Sequence, residues 1–131
     1  MGSARSFKDL VVWQKAMSLA EETYRLSEKL PERERFGIWS QLTRAAASVP
    51  ANIAEGHGRQ GSREFANFAS IARGSLAELE TFLLLAQRLG YFAEEDIRAA
   101  LGLSDEVGRL LTRLHQSLRS ASSDSPRSSI P

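Results

Sequence analysis

Cysteine is absent from this chain of 131 residues. No disulfide framework and no thiolate metal site is open to it, which fits a reducing compartment without demanding one. Lysine is scarce: apart from Lys8, Lys15 and Lys29, every side chain that is cationic at neutral pH is arginine. Arginine suits bidentate contacts to phosphate and carboxylate, though genomic base composition produces the same bias. Long apolar runs are missing as well. The longest extend a few residues, against the roughly 20 needed to cross a bilayer. The N-terminus, Met1 to Ser6, is short and polar and is followed by no apolar signal-peptide core. The expectation is a soluble, cytoplasmic protein with no membrane partner. Charge of one sign is lacking too: 17 basic and 16 acidic residues leave a formal net charge of +1. Whole-chain charge therefore exerts no strong pull toward nucleic acid or an acidic membrane.

What is present is helical periodicity, and enough apolar residues, 42%, for one core. No stretch alternates apolar and polar residues for long enough to read as a strand. Four segments are expected to be helical, over residues 7–30, 34–55, 63–89 and 94–120. The first carries two apolar series at steps of three and four. Leu10, Trp13, Met17, Ala20 and Tyr24 form one; Val12, Ala16, Leu19, Thr23, Leu26 and Leu30 form the other. Their centres lie roughly 110° apart at 100° per residue. One stripe suffices for a corner of a monomeric bundle, so two predict burial against something further. Val12, Leu19 and Leu26 are the candidates for a subunit interface.

In the second segment Ile38, Leu42, Ala46, Val49 and Ile53 form the apolar stripe, with Pro50 among them. That proline removes the donor for the Ala46 carbonyl and is expected to kink the helix. Gly56-His57-Gly58-Arg59-Gln60-Gly61 reads as a flexible turn, with Ser62 as N-cap of the third helix. There Phe65, Ala72, Leu79 and Ala86 alternate with Phe68, Ser75, Phe82 and Leu89 on a heptad pattern. Gly74-Ser75 in mid-helix implies a close backbone approach. Gly90 is placed to end the helix. Acidic Glu94, Glu95 and Asp96 suit the start of the fourth. Short connections imply antiparallel neighbours. The fold class is therefore all-α, an antiparallel up-down-up-down four-helix bundle over residues 7–120. A flexible N-terminus, 1–6, and a disordered Ser/Pro-rich tail, 121–131, flank it.

Catalytic chemistry finds little footing. Gly56, Gly58 and Gly61 spell G-x-G-x-x-G, but no strand precedes them, so a dinucleotide site is not expected. The amide end of the third helix, with His57, Arg59 and Arg63 nearby, is a place for a phosphate. His57 and His115 belong to no metal-binding pair. No catalytic residue, cofactor or metal is expected. The unusual constellation is Gln41, Arg44, Ser48, Asn52 and Glu55, a polar stripe beside the apolar one. Three readings stay open: a solvated face, a hydrogen-bonded network that satisfies the groups freed by Pro50, and a binding face with Arg44 as the cation.

Three stretches carry a family resemblance: Phe7 to Ala16, Ser40 to Gly56, and Glu64-Phe65 with Ile71 to Glu80. The middle one holds Arg44-Ala45-Ala46-Ala47-Ser48-Val49-Pro50-Ala51-Asn52-Ile53-Ala54-Glu55-Gly56. The chain resembles the 23S rRNA intervening-sequence proteins, whose relatives include accessory proteins of diversity-generating retroelements. The resemblance implies a bundle that assembles into a ring-shaped homopentamer and a non-catalytic role. It also points to nucleic acid, RNA or DNA, as a partner. On that reading Arg44, Arg59, Arg63 and Arg73, which flank the kinked helix and the glycine connector, are the candidate phosphate contacts. The competing expectation is a protein-binding scaffold without nucleic acid.

Overall fold

A computed structural model describes residues 6–124. A 3₁₀ turn, Phe7–Asp9, precedes α1, Val11–Ser27. A second 3₁₀ turn, Glu32–Glu34, leads into α2, Ile38–Gly58. Then come α3, Ser62–Arg88, and α4, Glu94–Asp124. Among the described residues there is no strand. The helices touch in a closed cycle, α1 to α2, α2 to α3, α3 to α4 and α4 back to α1. Two sides of the bundle therefore lie opposite each other, the one made by α1 and α2 and the one made by α3 and α4.

Cross-helix contacts set the directions. Lys15 and Lys29 of α1 pair with Glu106 and Asp96 of α4, both at 3.1 Å, so those helices run antiparallel. Ser104 of α4 donates to Glu80 of α3, and Gly108 sits against Leu76, so these do too. The core runs the length of the bundle, through Ala16, Leu19, Leu42, Val49, Ile53, Leu79, Leu83, Val107 and Leu111. Thr23 and Ser27 are buried, and each bonds the carbonyl one turn back, of Leu19 and Thr23. Among the described residues no buried side-chain polar atom lacks a partner, as a low-dielectric interior requires.

Several elements depart from expectation. The first helix is broken at Leu10, whose backbone is extended. Ser6 caps the preceding turn, Gln14 donates to the Lys8 carbonyl, and Phe7 packs edge-on against Trp13 at 5.2 Å. These contacts fold the turn back on α1. α2 starts later than expected because Gly37 leaves helical backbone and Glu34 accepts from the Ile38 amide instead. It also ends later: Gly56, His57 and Gly58 are helical, so the connector shrinks to Arg59–Gly61. The reason is at Gly56, where a Cβ would lie 2.7 Å from Phe68 Cβ and 2.8 Å from Phe65 Cδ1. The missing side chain admits α3, while the helix continues. Gly61, with φ of +96°, takes the N-cap place expected for Ser62, which is the first helical residue.

The close approach expected at Gly74 is not found there, since a Cβ would meet nothing within 4 Å. Ser75 beside it is the buried contact residue. Gly90 does end α3, with φ of +86° and its amide on the Gln87 carbonyl. α4 continues through Ala121 to Asp124, past the boundary set for the tail. Every residue there keeps its amide donor, and the first proline beyond α1–α2 comes only at Pro126. The remainder of the tail and of the N-terminus lies outside the described residues.

Candidate functional site

The polar stripe on α2 divides in two. Ser48 Oγ lies 2.7 Å from Ser75 Oγ across the α2/α3 seam, and Asn52 Nδ2 donates to Ser48 Oγ at 2.9 Å and to the Ser48 carbonyl at 2.8 Å. This is a network that pins α2 to α3. Of the three open readings it is closest to the network, but the acceptor is Ser48, one turn before Asn52, and not the Ala46 carbonyl freed by Pro50. Gln41, Arg44 and Glu55 are exposed, and Glu55 pairs with Arg59 at 2.8 Å.

The α1/α2 side carries an apolar groove of about 720 Å³. From α1 it is walled by Trp13, Met17, Ala20 and Tyr24, and from α2 by Trp39, Ala47, Pro50, Ala51 and Ala54, with Glu21, Arg25 and Glu28 also in its lining. Its shape follows from residue size. The small side chains of α2 leave a trough, and the aromatics of α1 stand beside it. Tyr24 is 46% exposed and Arg35 stacks over Trp39 at 5.6 Å. Phe36, 92% exposed, stands in the α1–α2 connection.

This overturns the subunit-interface candidates. Leu19 is 1% exposed, and Val12 and Leu26 are buried with it in the bundle's own core. Of the two seams on α1, theirs faces inward. The seam with surface left over is Trp13, Met17 and Tyr24.

The α3/α4 side is different in kind. Two hollows follow one another along it. The first is lined by Arg73, Leu76, Ala77 and Glu80 of α3, with Ser104, Asp105, Gly108, Arg109, Thr112 and Arg113 of α4. The second, about 340 Å³, is lined by Arg63, Ala66 and Asn67 opposite His115, Arg119 and Ser122. Asp105 is paired with Arg109, and Glu80 accepts from Ser104. The second hollow has no acidic lining residue among those described. Along α3, Arg63 and Arg73 are about 15 Å apart at 1.5 Å per residue. The groove is thus a polar track lined by arginines of both helices.

A third feature ties the opposite end of the bundle together. Glu34 accepts from the Ile38 amide and from the Tyr91 hydroxyl at 2.8 Å, joining the α1–α2 and α3–α4 connections. The amide, then the hydroxyl, hold its carboxyl below the ordinary value of 4.5. Asp96 is likewise lowered, first by the Ala93 amide and then by Lys29.

The expected phosphate ligands do not converge. Arg63 and Arg73 line the α3/α4 groove. Arg44 is exposed on α2 and lines neither groove. Arg59 pairs with Glu55 and lies over the Phe68 ring at 5.1 Å, and His57 stands edge-on to Phe65. The residues that join Arg63 and Arg73 come from α4: Arg109, Arg113, His115 and Arg119. Their signal is in the sequence. Between Glu106 and Asp124 no acidic residue occurs while these four recur at steps of two to four. Among the described residues no group of three His, Asp or Glu is placed to hold a metal, and no helix is long and apolar enough to cross a membrane.

A family model described as 23S rRNA-intervening sequence protein matches residues 8–113. A solved structure is similar over most of both chains: the crystal structure of a protein with unknown function from the S23 ribosomal protein family of Bacteroides thetaiotaomicron. It shares 29% identity and a TM-score of 0.75, covering 80% of this chain and 98% of that one. Among curated proteins none matches.

Proposed function

The chain belongs to the 23S rRNA-intervening sequence protein family, and from that premise we propose that it is a non-catalytic accessory protein of a ribonucleoprotein, self-associating on one side and binding nucleic acid on the other. The observation that carries the nucleic-acid part is the α3/α4 groove, where arginines of two helices face one track. Arginine forks match phosphate oxygens bidentately. A protomer of net charge +1 binds weakly through so few contacts. Repetition of the groove in an assembly, which the family resemblance puts at a ring of five, raises the effective affinity without new contacts.

Self-association is assigned to the α1/α2 groove, the apolar face left uncovered by the bundle. Because α1/α2 and α3/α4 lie on opposite sides, contact through the first leaves the second open. The same groove favours a second reading, a scaffold that docks an apolar helix of a different protein and binds no nucleic acid.

Titration of a fluorescently labelled structured RNA, followed by anisotropy at about 50 and 200 mM salt, separates the two. Binding that weakens steeply with salt, and that is lost in Arg73→Glu/Arg113→Glu, supports the nucleic-acid reading. Absence of binding at the lower salt rejects it in favour of the scaffold.

A further inference from the structure

We propose, resting on the nucleic-acid reading above, that the α3/α4 groove takes the phosphate backbone of a double helix and discriminates against single strands. Three observations lead there. The groove offers no run of base platforms: among its described lining residues the one aromatic ring is the His115 imidazole. Proteins that hold single strands depend on aromatic side chains on which successive bases stack. This chain does have exposed aromatic surface, but it lies on the opposite side, at Trp13, Tyr24 and Trp39.

The cations also stand in two facing rows. Arg63 and Arg73 belong to α3, Arg113 and Arg119 to the antiparallel α4. Both rows are mounted on helices whose inner faces, Ala66 and Leu76 on one and Val107 and Leu111 on the other, are buried. The rows are fixed at the backbone level. Along α3 the row spans about 15 Å, the axial length of about four base-pair steps of a duplex. A duplex presents phosphates at a regular spacing with its bases already stacked. A flexible strand must be ordered first, and for its successive unstacked bases this lining supplies a single ring, that of His115.

Third, neutral hydrogen-bonding groups sit among the cations: Asn67 on α3, Thr112 and Gln116 on α4. Amides and hydroxyls between arginines bond phosphate and sugar oxygens, which position a backbone without reading sequence. In an RNA duplex the 2′-hydroxyls of the shallow groove add partners. The chemistry that recognises the ligand, two rows of fixed cations, is common to RNA and DNA duplexes.

The test is anisotropy with three labelled probes of equal strand length: an RNA duplex of about 16 base pairs, a DNA duplex of the same length, and oligo-uridine, which stacks little. The full chain is used at about 50 and 200 mM salt. The expected result is a duplex bound at least about tenfold more tightly than oligo-uridine, with a log–log salt slope of about −3 to −4 for four neutralised phosphates. Arg113→Glu/Arg119→Glu and, separately, Arg63→Gln/Arg73→Gln each lower duplex affinity by about tenfold or more, with helicity checked by circular dichroism. Arg98→Glu, exposed at the acidic start of α4, leaves it unchanged. Preference between the two duplexes tells which nucleic acid is the natural source, and either preference supports the proposal. Oligo-uridine bound as tightly as both duplexes overturns it and leaves the nucleic-acid reading standing. No binding of any probe at the lower salt overturns both.

Discussion

Gly56 and Gly74 are both mid-chain helical glycines, and identical substitutions separate their roles. At Gly56 an added methyl group lands on Phe65 and Phe68. Gly56→Ala is expected to destabilise the protein by about 1–3 kcal/mol through overpacking. At Gly74 nothing lies within 4 Å. Gly74→Ala is expected to stabilise it by about 0.5–1 kcal/mol by removing backbone entropy from the unfolded chain. Urea unfolding of the two variants checks both signs, and equal effects would reject the assignment of Gly56 to helix approach. The Ser48–Ser75–Asn52 network is decided at the same scale. Asn52→Leu takes away the donor to Ser48 Oγ and is expected to lower the melting temperature by several degrees, on the order of one hydrogen bond, about 1 kcal/mol. An unchanged melting temperature would mean that the stripe is merely solvated. Spacing alone placed these residues on one face. Which of them turn inward depended on the position of α3.

α1 shows how two equivalent apolar series acquire different fates within one element. Leu19→Glu buries a charge in the core and is expected to unfold the protomer, not merely to reduce the size of an assembly. Tyr24→Glu lies on the exposed seam and is expected to leave helicity intact while shrinking the particle. Circular dichroism and light scattering on the two variants distinguish the roles; a folded Leu19→Glu protein, or a Tyr24→Glu protein of native mass, contradicts them. Connections have their own signature. Glu34 and Asp96 have lowered carboxyl values in the folded state. Their contribution to stability is fully present above the unfolded value, near 4.5 for Glu34, and is lost as pH falls through the lower folded value. Stability measured by urea midpoint should therefore drop on acidification below that value, and Glu34→Gln should flatten the drop. A variant with the wild-type pH profile would remove Glu34 from the clasp. Helix existence was legible in the 3.6-residue periodicity. Ends were less so, because Leu10, Gly37 and Gly61 are set by contacts with neighbouring segments.

At the scale of the whole molecule, one side of the bundle is apolar and the opposite side is basic, in a chain whose net charge is +1. Tests of the two sides should be separable. Arg113→Glu/Arg119→Glu is expected to weaken salt-sensitive RNA binding by about tenfold or more without altering particle mass. Tyr24→Glu is expected to reduce particle mass and to weaken RNA binding only by the avidity lost. A charge reversal that also dissociates the particle would show that the α3/α4 side is itself a subunit contact. Sequence by itself determined that the chain is helical, where its four segments lie, and which motif, Arg44 to Gly56, marks its family. Those features are local: periodicity, capping chemistry and contiguous residues are all read within one segment. Only the tertiary structure decided which seam of α1 is core, that Gly56 and not Gly74 is the point of closest approach, and that Arg63 and Arg73 share a groove with Arg113 and Arg119. The physical reason is that burial and electrostatic context belong to pairs of segments, and the pairing exists only once the helices have closed their cycle.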